Sequence, residues 1–131
     1  DAILVKDNHL DLMDDFEKSW KSVLRRAGKV RFVELELDNL EDVRLFATAH
    51  AKLPIRLRRR GPVVVMLDNL DPADLRTAIR LLRSAGVLIE VSGGINADNI
   101  KRYAIKGVSA ISSGAVTNRA PALDLSLEFA A

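Results

Sequence analysis

Short apolar runs alternate with amphipathic stretches along the whole chain. Ile3 to Val5 reads as a buried strand. Leu12 to Arg26 reads as a helix, with Phe16, Trp20, Val23 and Leu24 at helical spacing. Val30 to Leu37 is a predicted strand, and Leu40 to about Ala51 a helix capped by Asp38 or Asn39. Val63 to Leu67 is a continuous run rich in β-branched residues, the pattern of a strand covered on both faces. Asp71 and Pro72 open a helix that runs to about Ser84, with Gly86 as its stop. Val87 to Val91 and Val108 to Ser112 are predicted strands, separated by a helix from Asn96 to Lys106 that Gly107 ends. Leu123 to Leu127 is a last short strand.

Strand and helix thus alternate with short connections, the order of a parallel α/β fold. Alternation alone does not separate a doubly wound sheet from part of a barrel. A complete (β/α)₈ barrel takes about 250 residues, so 131 residues supply about half of one. A half barrel leaves two open sheet edges, and a partner or further chain is expected to cover them. Residues 52–62, KLPIRLRRRGP, break the rhythm. With Arg56, Arg58, Arg59 and Arg60 they read as a solvated basic loop, and a phosphate or partner contact is the alternative.

Composition narrows the classes. The charge balance, 20 basic against 18 acidic side chains for a net +2, argues against a dedicated nucleic-acid binder. Without cysteine there are neither disulfides nor thiolate metal sites, and a cytoplasmic home is allowed. No apolar run reaches the roughly 18–20 residues of a membrane span. A chain that opens on a strand without an initiator methionine is expected to begin mid-protein.

In parallel α/β folds the chemistry gathers where strands end. Here those ends read Lys6-Asp7-Asn8-His9, then Glu34 and Glu36, then Asp68-Asn69, then Glu90 with Ser92-Gly93-Gly94, then Ser112-Ser113-Gly114. One rim therefore holds a cation, several carboxylates and two glycine-bearing loops. Glu36 and Asp68, from neighbouring strands, suit a hard cation such as Mg²⁺, which takes carboxylates, waters and ligand phosphates. Ser92-Gly93-Gly94 and Ser113-Gly114-Ala115 let backbone N–H groups approach an anion closely. The first of these loops is expected to open a helix whose N-terminus favours phosphate. Lys6 offers a point charge for a carboxylate or phosphate. Each feature has a plainer reading: Asp7 and Asn8 as turn formers, His9 as a hydrogen-bonded structural histidine, the glycines as turns. Glu34 and Glu36 are harder to explain structurally. They share strand parity, so both face inward in a barrel, where an unpaired carboxylate is costly.

Five blocks in order, LVKDNH at 4–9, VELELDNLED at 33–42, VMLDNLDPADLRTAIRLL at 65–82, IEVSGGINADNIKRYAIKGVSAISSGAVT at 89–117 and APALDLSLEF at 120–129, resemble the barrel domain of quinolinate phosphoribosyltransferases. The resemblance implies a parallel (β/α) barrel of that type, present here as its C-terminal part, with the N-terminal domain and first barrel strands absent. It implies phosphoribosyl transfer from 5-phosphoribosyl 1-diphosphate to quinolinate. Decarboxylation follows, giving nicotinate mononucleotide, CO₂ and diphosphate on the route to NAD. Lys6 matches the lysine that contacts a quinolinate carboxylate, and Glu36 and Asp68 match the acids that hold the ribose hydroxyls and Mg²⁺ of the donor. Asn69, Ser92, Gly93, Gly94, Ser113, Gly114 and Ala115 match substrate-binding positions, the two loops taking a phosphate. A homodimer or higher homo-oligomer is implied, with Mg²⁺ and no organic cofactor.

Three departures from the family pattern stand out. The cation-bearing segments upstream of KDNH and the N-terminal domain are missing, so the isolated chain is expected to be inactive. Asn118 and Arg119 follow Val116-Thr117 where the family often has a histidine, and an Arg-rich insert precedes Val63. The alternatives are a molybdenum-transport-associated pyrophosphorylase with another acceptor and a non-catalytic interaction module that uses the Arg-rich insert.

Overall fold

A computed structural model describes residues 1–10 and 12–117. The strand expected at Leu123 to Leu127, the APALDLSLEF block and Asn118-Arg119 lie outside them. Five strands, β1 (Ile3–Val5), β2 (Val33–Leu37), β3 (Val63–Asp68), β4 (Leu88–Ser92) and β5 (Ala110–Ile111), form one sheet in the order β1-β2-β3-β4-β5. All four pairings are parallel. A doubly wound sheet reverses its strand order at a switch point. This sheet does not, and its sequential order is that of a barrel arc.

The helices are α1 (Asp7–Leu10), α2 (Phe16–Arg26), α3 (Leu40–Lys52), α4 (Ile55–Arg58) and α5 (Pro72–Leu82). Their apolar stripes cover one face of the sheet. Val33, Leu35 and Leu37 of β2 and Val63, Val65 and Leu67 of β3 are buried there, with Trp20, Phe46, Leu75 and Leu82 among the helical residues of the same core. Each such side chain contributes roughly 1.5–3 kcal/mol by leaving water. The alternate positions Glu34, Glu36, Val64, Met66 and Asp68 are half-buried on the other face. The two-sided cover expected for β3 is therefore complete on the helical side alone among the described residues.

Local chemistry sets the boundaries. Asn39 caps α3 by accepting from the Asp42 N–H at 2.9 Å. Asp71 caps α5, its Oδ1 accepting from the Ala73 and Asp74 N–H groups at 2.8 and 2.9 Å. Asp71→Ala is expected to cost about 1 kcal/mol of stability in a urea titration. A change below a few tenths of a kcal/mol would show that the cap contributes nothing.

Four expectations are corrected. The first long helix starts at Phe16, not Leu12, because Asp15 adopts the extended cap conformation and accepts from the Lys18 N–H at 3.0 Å. The β2 strand starts at Val33, where both neighbours offer partners: Ile3 on β1 and Val63 on β3. The basic stretch 52–62 is not all loop, since Pro54 leads into the single helical turn α4. The helix expected from Asn96 to Lys106 is only a 3₁₀ turn, Ile100–Arg102. There Asn96 Oδ1 accepts from the Asp98 and Asn99 N–H groups, and Asn99 Oδ1 accepts from the Asn96 N–H at 2.8 Å. These bonds form a capping box that satisfies first-turn N–H groups, yet the backbone beyond it continues only as the short 3₁₀ turn. Smaller shifts of one or two residues mark the ends of α5, β4 and β5.

A buried polar cluster joins α2 to α3. The Trp20 indole N–H donates to His50 Nδ1 at 3.1 Å, and the His50 ring stacks on Phe46 with centroids 5.2 Å apart. His50 is 1% exposed. Burial, with the nearby Arg58 charge, lowers its pKa to about 4, so it is neutral at pH 7.

Candidate active site

The strand ends carry the site because a parallel sheet delivers each C-terminus to the same rim. At the first strand end the backbone N–H of Lys6 donates to His9 Nδ1 at 2.9 Å. The His9 backbone N–H returns to the Lys6 carbonyl at 2.9 Å. His9 thus fixes the turn, in line with its structural reading. Lys6 Nζ reaches toward the next strand and lies 3.9 Å from Glu36 Oε2. The Glu36 side chain is only 14% exposed, whereas that of Lys6 is 50% exposed. Lys6 can therefore meet an incoming anion from its place beside Glu36.

Register places the carboxylates. Glu36 pairs with Met66, and Asp68, two residues farther on, pairs with Ser92. Glu36 and Asp68 therefore share the inner face on adjacent strands, Asp68 nearer the rim. Among the described residues no group of three or more Asp, Glu or His converges as a metal cage. Two carboxylates at an open rim fit Mg²⁺ carried by a diphosphate and completed by water, not a protein-built metal site.

Asp68 and Asn69 are tied to the first glycine loop. The Asn69 side-chain amide donates to Asp68 Oδ2, and its backbone N–H donates to the Ser92 carbonyl at 3.1 Å. Asn69 sits in the left-handed region at φ 56°, which its short polar side chain tolerates. Gly93, at φ 98°, lies directly against it: a Cβ there would stand 2.8 Å from Asn69 Cα and collide with its backbone nitrogen. Position 93 therefore accepts glycine alone.

The two glycine loops line one open cleft of about 530 Å³. Ser92, Gly93 and Gly94 form one wall and Ser113, Gly114 and Ala115 the other, with Ile95 and Ser112 between them. Ser113 Oγ donates to the Ile95 carbonyl and accepts from the Ala115 N–H, locking one loop to the other. Asn99 Nδ2 donates to the Gly94 carbonyl at 3.0 Å. No α-helix follows either loop among the described residues; the second leads into the 3₁₀ turn Gly114–Val116. The helix N-terminus expected behind the Gly-Gly pair is thus absent, and an anion here would be met by loop N–H groups and hydroxyls.

Deeper on the inner face, Ser112 Oγ donates to Glu90 Oε1. Glu34 Oε1 is buried without a hydrogen-bond partner. Burial, then Glu90, then Glu36 push the Glu34 pKa upward. Strand parity finds Glu34 and Glu36, but the tie between Glu90 and Ser112 and the Asn96–Asn99 clasp escape it. The Asn-x-x-Asn spacing in NADN is the one sequence signal for the clasp.

Known proteins are similar to this chain over nearly all of its length. The family model described as quinolinate phosphoribosyl transferase, C-terminal domain, matches residues 1–128. The probable carboxylating nicotinate-nucleotide pyrophosphorylase of Methanothermobacter thermautotrophicus is 33% identical over 98% of this chain and 44% of its own length. The carboxylating nicotinate-nucleotide pyrophosphorylase of Homo sapiens is 33% identical over 97% of this chain and 40% of its own. The NadC crystal structure from Streptococcus pyogenes superposes with a TM-score of 0.71 at 28% identity, covering 91% of this chain and 38% of that one. The chain therefore spans about two fifths of the length of these relatives. With its sequential parallel sheet and its paired glycine loops at one rim, the chain belongs to the family of quinolinate phosphoribosyltransferase C-terminal domains.

Proposed function

We propose that the protein carrying this chain transfers a phosphoribosyl group from 5-phosphoribosyl 1-diphosphate to the ring nitrogen of quinolinate and releases the 2-carboxylate as CO₂. The products are nicotinate mononucleotide and diphosphate, on the route to NAD. The observation that carries this reading is the cleft built from both glycine loops, with Lys6, Glu36 and Asp68 on the same rim. The names of the relatives support the same chemistry.

In this reading the two loops hold a phosphate of donor or product. Loss of diphosphate leaves an oxocarbenium-like ribose, and carboxylates fixed nearby stabilise that charge as it develops. Glu36 and Asp68 hold the ribose hydroxyls and face that carbon, while Asn69 orients Asp68. Glu36 and Asp68 would hold Mg²⁺ arriving with the donor, and the ion would neutralise charge on the leaving diphosphate. Lys6 takes a carboxylate of the acceptor, and the remaining acceptor cations come from outside this chain. Decarboxylation is eased because the electron pair left on the ring lies beside a quaternised nitrogen.

A homodimer or higher homo-oligomer, working in the cytoplasm, completes the reading; among the described residues no helix is long and apolar enough to cross a membrane.

Glu36→Ala and Asp68→Ala in the full-length protein should each lower kcat/KM about a hundredfold with the thermal melt preserved. Full activity in both variants would remove these acids from the site.

A further inference from the structure

The net charge of +2 hides a strong segregation. Residues 18–33 carry six Lys or Arg, residues 43–67 carry another six, and neither stretch holds an Asp or Glu. These two segments thus hold twelve of the chain's 20 cations and none of its 18 acids. They fold against each other: α2 lies in the first, α4 in the second, and a cleft of about 420 Å³ opens between them. Its lining is Lys21, Arg25, Pro54, Arg56, Leu57 and Arg60. These residues belong to the segments that lead into β2 and β3, so the cleft lies toward the strand N-termini, away from the phosphate loops.

Lys21 and Arg25 sit one helical turn apart on α2, a spacing that costs stability for like charges, and Arg56 and Arg60 add two more cations from the second segment. No acid relieves them: among the described residues none of the four has a carboxylate within 4.0 Å. The nearest candidate on α2, Glu17, is held by Lys52 at 2.8 Å. Arg60 donates to the Arg25 carbonyl at 2.8 Å and so closes the C-terminal end of α2. Lys21, Arg25 and Arg56 remain exposed and convergent. The lining has no aromatic face for a base and only Pro54 and Leu57 as apolar floor, so the recognised group is charge. Cations drawn from two elements match an extended anion better than a single phosphate, and arginine pairs phosphate oxygens in bidentate fashion.

We propose that the cleft between α2 and α4 is a second anion site, distinct from the phosphate loops, that binds a di- or triphosphate group. Inorganic tripolyphosphate is the probe. Calorimetric titration of the full-length protein should resolve a site whose affinity falls at least tenfold in Lys21→Glu/Arg56→Glu. The melting temperature in that variant should not fall, since both residues are exposed and the change removes like-charge repulsion. Lys29→Glu/Arg31→Glu, exposed in the connection from α2 to β2 but outside the cleft, should change the affinity less than threefold. Equal affinity in the wild type and Lys21→Glu/Arg56→Glu would overturn the proposal. So would an equal loss in both double variants, which means diffuse attraction to the basic segments. Capture of a short single-stranded RNA through Lys21 and Arg56 without tripolyphosphate binding would overturn it too.

Discussion

Gly93→Ala is expected to destabilise the protein by about 4 kcal/mol and to abolish binding of the phosphoribosyl donor. Two costs add. A non-glycine residue at φ 98° carries backbone strain of roughly 1–3 kcal/mol. The new Cβ also meets the Asn69 backbone, 2.8 Å from its Cα, and overpacking of a rigid neighbour costs typically 1–3 kcal/mol. Neither atom can swing away as a side-chain tip would. Relief means moving Asn69, which carries Asp68 and the bond to the Ser92 carbonyl with it. The effect is therefore both energetic and chemical. Gly94→Ala is the internal comparison, because that glycine has φ 60° and open space around its Cβ position. It should cost only about 1 kcal/mol. Urea titration of both variants measures the contrast, and equal losses would show that contact with Asn69 is not the cause.

The second large effect is an acid-sensitive core. His50 has an ordinary pKa of 6.5 in the unfolded chain and about 4 when folded. The unfolded state thus binds the proton first as pH falls. Stability from keeping His50 neutral is fully present above pH 6.5 and is lost progressively between 6.5 and about 4. A difference of about 2.5 pKa units corresponds to about 3 kcal/mol. Glu34 acts in the opposite sense: its raised pKa lets the folded state take up a proton first, so acid relieves rather than destabilises it. The comparison is therefore made between proteins. In His50→Asn the amide oxygen can still accept from Trp20 without titrating in this range. That variant should be less stable at pH 7, having lost the stack on Phe46. Its stability should then decline by about 3 kcal/mol less than the wild type's between pH 7 and 4. Parallel decline in the two proteins would show that His50 does not titrate between the states.

Much of the architecture is legible because it is local. The strands β1 to β4 announce themselves as short apolar runs, and Asn39 and Asp71 mark helix starts through the N–H groups that their own side chains cap. The rim chemistry is legible for the same reason: strand ends can be located, and everything in a parallel sheet that follows a strand end shares one edge. What escapes depends on long-range partners. The turn at Ile55–Arg58 relies on Pro54 and on packing near α2, and no side-chain contact explains why the capped turn after Asn96 stays a 3₁₀ turn. His50 reads as one more polar position on α3 until Trp20, thirty residues away in sequence, closes on it. Glu90 meets Ser112 across 22 residues, and no spacing rule links them. Gly93 looks like any turn glycine until Asn69 is seen beneath it.

The proposed reaction rests on two carboxylates and a lysine on the same rim as a cradle of loop N–H groups and hydroxyls, and its defining product is CO₂. The most direct measurement is release of labelled CO₂ from carboxyl-labelled quinolinate by the full-length protein, with 5-phosphoribosyl 1-diphosphate and Mg²⁺. The account predicts release that requires the donor. A folded protein that binds the donor yet releases no CO₂ would contradict the assignment of quinolinate as acceptor.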